Sequence, residues 1–457
     1  MQFEINKYKK VSVIGAARSG VAASKLLKKN GVEVLLSDIN AKEKIDPFFI
    51  NELNEFGIKS EYGAHSEEVL KSDLMVVSPG VPQNSSVITR AKENGIEVVS
   101  EIELAYRFCK GKIVAITGTN GKTTTTTLIG EICSNAGLET QVCGNIGTAF
   151  CDVADKLSPR GIAVVEVSSF QLDNIKFFKP LIALLLNITP DHLDRYNHSI
   201  EEYVESKNRV YKNQDKEDYL VYNFDDLVIK KSLKHNIESS LAAFSLQNGV
   251  KKEVEKGAYL DNYELLYFYC QSEENIIDTQ NLIIKGQHNV YNSMASVITA
   301  KLLGIEKSVI QKTLENFKGV EHRLEYVREL NGIKYYNDSK ATNVNSVWYA
   351  LRGFNVPIVL ILGGRDKGND YREIEAEVKK YVKHIIAVGE SKKKIYDFFK
   401  RIIPITMADD MEDAVYKATG ASSKNEIVLL SPACSSFDMY DNYEHRGREF
   451  KRIVNSL

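Results

Sequence analysis

The sequence predicts a three-domain α/β protein with mostly parallel sheets. A Rossmann-like N-terminal domain, a central domain of P-loop type and a Rossmann-like C-terminal domain follow one another. Three observations predict this. The chain has 457 residues, about three domains at roughly 150 residues each. Short apolar runs alternate with longer amphipathic segments, as in parallel strands joined by crossover helices. Two glycine-rich turns, "GAARSG" (15–20) and "GTNGKT" (118–123), each follow a strand-like run and open a helix-like one.

The elements read in order. "KVSVIGAARSG", "VAASKLLKKNG" and "VEVLLSD" give strand and turn, helix, and strand. "LMVVSPG" and "IEVVS" add later strands. A second series starts at Ile113 and includes "IAVVEVSS" and "LIALLLNIT". A third includes "IKYYNDS", "VPIVLILGG", "HIIAVG" and "EIVLLSP". Between them, "SEENIIDTQNLIIKGQHNVYNSMASVITAKLLG" ends in a strong helix. Boundaries are placed near Lys110 and Lys318, giving domains 1–110, 111–318 and 319–457.

Composition removes several function classes. A net charge of -2 provides no basic field for nucleic acid. No apolar run reaches the ~18–20 residues of a membrane span. "MQFEINKYKK" lacks an apolar core and cleavage pattern, so no signal peptide is expected. Six cysteines without a C-x-x-C pair read as reduced, mostly buried thiols of a cytoplasmic protein, not a metal cage or disulfide frame.

The chemistry centres on "IVAITGTNGKTTTTTLIGEI". G-x-x-x-x-G-K-[ST] would need glycine where Ile116 stands, so this is a shortened phosphate loop that keeps its G-K-T end. Gly118 and Gly121 allow close backbone approach, and the helix N-terminus offers bare N–H groups. Lys122 adds a point charge and Thr123 a hydroxyl for Mg²⁺. Glu166 lies inside the apolar run of "VVEVSSFQL". A buried carboxylate needs a cationic partner, and magnesium beside a phosphate loop is one. Asp191 and His192 follow another apolar strand, at the carboxyl end where open α/β sheets gather ligands. Lys207 in "ESKNRVY", taken alone, is a solvated lysine on a helix. In the first domain, Ala17 replaces the middle glycine of G-x-G-x-x-G, and Asp38 ends the next strand. That turn is either a nucleotide or diphosphate site or a tight turn with close helix–strand packing.

"GNIG" (144–147), "EVSSFQL", "DHLDRY", "GQHNVYN", "HRLE", "NDSKATN" (337–343) and "SPACSSFD" join the loop in one order over nearly the whole chain. In these motifs the sequence resembles the Mur ligases of peptidoglycan synthesis, three-domain ATP-dependent amide-bond ligases with a G-[TS]-x-G-K-[ST] loop. Within the family the motifs match the D-glutamate-adding members. The resemblance implies a central ATPase domain in which Gly118, Thr119, Asn120, Gly121, Lys122, Thr123 and Thr124 hold the ATP phosphates. It implies Mg²⁺ bound by Thr123, Glu166, His192 and a carbamylated Lys207, with Lys122, Glu166, His192 and Lys207 catalytic. Asn289, Asn292, Arg323 and Asp338 would surround the nucleotide. Lys340, Thr342, Lys367, Ser436 and Tyr443 would lie at D-glutamate or the reacting carboxylate. Asn145, Ser168 and His192 would approach the UDP-sugar, and the first turn, with Arg18, Ser19 and Asp38, would face UDP.

Some positions depart from the family pattern or admit simpler roles. Ala17 stands where many relatives have glycine. Either Arg365 or Lys367 suits the amino-acid site, with Lys367 favoured. Tyr443 replaces a phenylalanine found in some members. Asn289 and Asn292 also suit a helix cap, Arg323 a surface ion pair, and "NDSKATN" a turn with Asp338 or Ser339 as N-cap. The implied reaction joins D-glutamate to UDP-N-acetylmuramoyl-L-alanine through an acyl phosphate, in a monomer closing near Lys318-Gly319. The competing readings are a folylpolyglutamate synthetase-like ligase, a dinucleotide-dependent oxidoreductase and a nucleotide-binding regulatory module.

Overall fold

A computed structural model describes residues 8–191, 193–233, 237–262, 264–366 and 368–457. His192 and Lys367, both expected at the site, lie outside the described residues. The chain forms two compact units. One runs through Leu282 and includes Gln287–Asn316; the other comprises Ile283–Gly286 and Phe317–Leu457.

The first unit holds two sheets. Strands β1 (Lys10–Ile14), β2 (Glu33–Asp38), β3 (Lys59–Tyr62), β4 (Leu74–Val77) and β5 (Glu97–Ser100) form a parallel sheet in the order β3-β2-β1-β4-β5. The order reverses beside β1, so the "GAARSG" turn opens into the crevice at a switch point. Val11, Val13, Leu36, Leu74 and Val76 are fully or almost fully buried, as strands covered by helices on both faces must be.

The second sheet has β6 (Lys112–Thr117), β7 (Thr140–Gly144), β8 (Ile162–Glu166), β9 (Ile182–Leu185), β10 (Tyr219–Asn223), β11 (Ser240–Ser245), β12 (Gly257–Asp261), β13 (Leu265–Tyr269) and β14 (Glu273–Asp278). Their order is β14-β13-β12-β11-β10-β9-β6-β8-β7. Pairing is parallel up to β12 and antiparallel in the meander β12–β14. β6 lies between β9 and β8, which brings the loop after Thr117 level with the ends of both neighbours.

The second unit contains β15 (Glu325–Leu330), β16 (Ile333–Asn337), β17 (Ile358–Gly363), β18 (Val382–Val388), β19 (Ile405–Met407) and β20 (Ile427–Leu430), ordered β15-β16-β20-β17-β18-β19. Within this sheet, only the β15–β16 pair is antiparallel among the described strands. Every residue of β17 is buried, and each such Ile, Val or Leu contributes about 1.5–3 kcal/mol of transfer free energy. The fold is the three-sheet α/β architecture that the alternation of apolar runs predicts.

Candidate active site

The loop after β6 is held by the segment that follows its neighbour β9. Thr119 N–H donates to Asn187 O at 2.9 Å. The Asn187 side chain accepts from Asn120 N–H at 2.8 Å and donates to Asn120 O at 2.9 Å. The Thr119 hydroxyl donates to Thr189 O at 3.0 Å and lies 3.2 Å from the Tyr203 hydroxyl. Gly121 has φ +82°, and a Cβ there would sit 2.4 Å from Asn292 Oδ1. Only glycine meets both conditions without strain. Helix Lys122–Asn135 starts immediately afterwards, so its first N–H groups face the loop. Thr123 and Thr124 are buried in its first turn.

Two lysines converge on one carbonyl. Lys122 Nζ donates to Gly118 O at 2.9 Å and Thr119 O at 2.8 Å. Lys207 Nζ donates to the same Gly118 O at 2.9 Å. Lys207 is only 1% exposed, which corrects its reading as a solvated helix residue. Spacing along helix Ile200–Asn208 did not reveal this, because that helix turns Tyr203, Ser206 and Lys207 inward together. Burial, reinforced by the Lys122 charge, pushes the Lys207 amine well below its usual value, against the opposing pull of Asp191 and Glu166.

Glu166 ends β8 and is 1% exposed. Its Oε1 accepts from Asn145 Nδ2 at 2.9 Å. Its Oε2 has no hydrogen-bond partner among the described residues. An uncompensated buried carboxylate oxygen is costly; beside a loop with a threonine in its first turn, it fits a hard divalent cation. Ser168 heads the short helix Ser169–Leu172 and donates its N–H to Gln171 Oε1 at 2.9 Å. Asn292 packs against the loop: its Oδ1 accepts from the Thr125 hydroxyl at 3.2 Å, and its Nδ2 donates to Asn289 Oδ1 at 3.2 Å.

In the first sheet, a Cβ on Gly20 would lie 1.9 Å from Gly15 O, the close turn–helix packing of a dinucleotide-type corner. Asp38 secures this corner. Its carboxylate accepts from Ala16 N–H at 2.7 Å and from the backbone and side chain of Asn40 at 2.8 and 2.9 Å. Ser19 is half-buried at the start of helix Arg18–Lys29. The Arg18 guanidinium reaches the carbonyls of 144–147.

The second unit gathers another polar cluster. Asp338 is buried; its carboxylate accepts from Leu324 N–H at 3.2 Å and the Ser431 hydroxyl at 2.7 Å. Burial pushes it up to about 7, against the pull of Ser431 and Arg323. Lys340 N–H donates to His322 O at 3.0 Å, and its ammonium lies 6.0 Å from the centre of the Tyr443 ring. Thr342 N–H donates to Lys340 O at 2.9 Å, and buried Ser436 O accepts from Tyr440 N–H at 2.8 Å. Arg365 pairs with Glu390 at 3.1 Å and its carbonyl accepts from the Ser435 hydroxyl at 3.2 Å. Helix Val344–Leu351 is capped by Asn343, whose side chain accepts from Ser346 N–H, so neither Asp338 nor Ser339 is the N-cap.

Sequence reasoning did not single out Asn187, Tyr203 or Arg446. Arg446 is 2% exposed and ties Ser339 to Cys434 O through three hydrogen bonds of 2.8 to 3.0 Å. "HRGREF" looks like an exposed basic helix face, and no signal there marks the one inward arginine. Asn187 carried a signal: it follows an apolar strand in a segment that also supplies Asp191.

Three family models match in chain order: "Mur ligase MurD-like, N-terminal domain" over 9–100, "Mur ligase middle domain" over 116–300 and "Mur ligase, glutamate ligase domain" over 322–434. A UDP-N-acetylmuramoylalanine–D-glutamate ligase of Chloroherpeton thalassium is 42% identical, with all of both chains covered. The chain belongs to the Mur ligase family. Ligases of the same name from Salinibacter ruber and Bacteroides fragilis are 43% and 44% identical over 98% of this Mur ligase, covering 98% and 100% of their own lengths. The fold is shared with UDP-N-acetylmuramate-alanine ligase MurC of Thermotoga maritima, at TM-score 0.58 and 19% identity over 98% of this chain and 99% of that one. A pseudomurein peptide ligase type C of Methanothermus fervidus has the same score at 20% identity and the same coverage. As a Mur ligase, the protein is an ATP-dependent ligase.

Proposed function

We propose that this Mur ligase adds D-glutamate to UDP-N-acetylmuramoyl-L-alanine in peptidoglycan precursor synthesis. The observation that carries the reading is the convergence of Lys122 and Lys207 on Gly118 O, beside a buried carboxylate with one oxygen unbonded among the described residues. Relatives of that printed name, 42–44% identical along the full chain, support the choice of substrates. No helix among the described residues is long and apolar enough to cross a membrane. The reading has the enzyme act as a monomer in the cytoplasm.

An oxygen of the alanyl carboxylate forms a bond to the γ-phosphorus, the bond to the β-phosphate oxygen breaks, and ADP leaves. The D-glutamate nitrogen, having lost its ammonium proton, then bonds to the acyl carbon. The C–O bond breaks, phosphate departs, and the nitrogen releases a second proton to solvent to leave the neutral amide. Two anions must meet in the first step. Lys122, freed from its loop carbonyls, meets the β/γ-phosphates, and the N–H groups from Gly118 to Thr124 cradle them. Thr123, Glu166, His192 and carbamylated Lys207 would hold Mg²⁺, which offsets charge on the transferring phosphoryl group. The depressed basicity of Lys207 suits carbamylation, because only the neutral amine attacks CO₂; the N–C bond forms and a proton leaves. Asn289, Asn292, Arg323 and Asp338 serve the nucleotide. Lys340, Thr342, Lys367, Ser436 and Tyr443 serve D-glutamate or the reacting carboxylate. Asn145, Ser168 and His192 face the UDP-sugar, and the corner with Arg18, Ser19 and Asp38 faces UDP. Domains 1–110, 111–318 and 319–457 would thus take UDP, ATP and amino acid respectively. Fixing the reacting groups can lower the barrier by ~7–11 kcal/mol.

The test is ADP release with UDP-N-acetylmuramoyl-L-alanine, comparing D-glutamate with L-glutamate and other amino acids. Release that depends on both the UDP-sugar and D-glutamate is expected. Release with a folate acceptor instead, or none with either, overturns the assignment.

A further inference from the structure

Arg18 belongs to the first sheet's turn, yet its donors go to the second sheet. Nη1 donates to Gly147 O at 2.5 Å; Nη2 donates to Asn145 O at 3.0 Å and approaches Gly144 O at 3.4 Å. The turn it grips rests directly on Glu166. Gly144 is registered beside Glu166 between β7 and β8, and a Cβ on Gly144 would lie 2.4 Å from Glu166 O. Asn145 N–H donates to that same Glu166 O at 2.9 Å, and Asn145 Nδ2 donates to Glu166 Oε1 at 2.9 Å.

The helix that begins at Arg18 stays docked on the same segment. Lys25 pairs with Asp152 at 3.2 Å, and Lys29 pairs with Asp155. Residues 18, 25 and 29 share one helix face. The guanidinium is therefore delivered to the 144–147 turn by a helix anchored further along.

We propose that Arg18 is a positioning residue for the carboxylate of Glu166. Its fork fixes the 144–147 turn, the turn fixes Asn145, and Asn145 holds Oε1 while Oε2 stays available to a cation. This rests on the reading of Glu166 as a cation ligand. Three carbonyls at one guanidinium need its planar array of donors; an ammonium is a point charge without that geometry. A lysine here would still attract a diphosphate but would not set the turn.

The experiment uses the full chain with Arg18→Ala, Arg18→Lys and Glu166→Gln. Mn²⁺ binding is followed by electron paramagnetic resonance with a non-hydrolysable ATP analogue, and KM for the UDP-sugar is measured separately. Loss of Arg18 is expected to weaken Mn²⁺ binding by about tenfold, the lower edge for an outer-shell partner. Arg18→Lys should not restore it, and the loss of Mn²⁺ affinity should appear with the ATP analogue alone, in the absence of the UDP-sugar. A raised KM with unchanged Mn²⁺ affinity, rescued by Arg18→Lys, overturns the proposal and makes Arg18 a diphosphate ligand. A fall in Tm alone in both variants also overturns it. Unchanged Mn²⁺ binding in Glu166→Gln overturns instead the reading of Glu166, whatever Arg18 does.

Discussion

Burying an ammonium costs several kcal/mol unless an opposite charge compensates, and Lys207 donates to a neutral carbonyl. Its folded-state pKa lies well below the ordinary 10.5. Between those two values the unfolded chain binds more protons than the folded one, so stability rises with pH through that window. Methionine keeps the four-atom stem without the charge, and Gly118 O retains its bond from Lys122. Lys207→Met should therefore melt higher than wild type near neutral pH, by about 1–2 °C for each kcal/mol recovered in a unit this large. The gain should shrink as pH approaches the ordinary lysine value, and ADP release should be lost. Calorimetry at several pH values, with a coupled ADP assay, reads both; a variant that melts lower at every pH refutes the argument. The residue type and helix were legible in "ESKNRVY", but the burial was not. Which face of a short helix turns inward depends on partners such as Gly118, 89 positions away.

Helix Glu101–Phe108 begins with a buried carboxylate that faces the segment after β7. Glu101 Oε1 accepts from Cys151 N–H at 2.7 Å. Burial pushes this carboxyl up to about 7 from 4.5, despite the bonds from Cys151. The folded state holds that proton more tightly, so its contribution to stability is complete below about 4.5 and is lost as pH rises through about 7. Asp338 adds to the same slope. Glu101→Gln keeps the acceptor for Cys151 and removes the charge. Urea unfolding at about pH 5 and about pH 8 should show a smaller loss of stability in the variant than in wild type. An identical loss in both would exclude Glu101 as a source. Elements of this kind were legible where the pattern was strong: "VEVLLSD", "IAVVEVSS" and "VPIVLILGG" are β2, β8 and β17. β12–β14 were not singled out. Tyr267 and Glu273 lie on a partly exposed antiparallel edge, where the apolar signal is diluted.

At the scale of the whole molecule, the order of motifs made the three sheets readable, but the path of the chain between units was not. The chain crosses between units after Leu282, after Gly286 and after Asn316. The segment Ile283–Gly286 joins the second unit although helix Gln287–Leu302 returns to the first. Four residues carry too little pattern to reveal such a detour. These crossings matter for the proposed reaction, which assigns Lys122 and Glu166 of one unit to the phosphates and the cation, and Asp338, Lys340 and Ser436 of the other to nucleotide and amino acid. Chemistry on an acyl phosphate also requires that water be kept out. The second unit should therefore move as a body when nucleotide and UDP-sugar bind, bending near Lys318-Gly319. Gly319 has φ +89°, and a Cβ there would stand 3.3 Å from Ile284 Cγ2, so this stretch tolerates no side chain without strain. Small-angle scattering should show a smaller radius of gyration with a non-hydrolysable ATP analogue, Mg²⁺ and UDP-N-acetylmuramoyl-L-alanine than without them. Gly319→Ala should raise KM and lower kcat together, as hinge substitutions do. Equal dimensions with and without ligands would remove closure from the proposed mechanism.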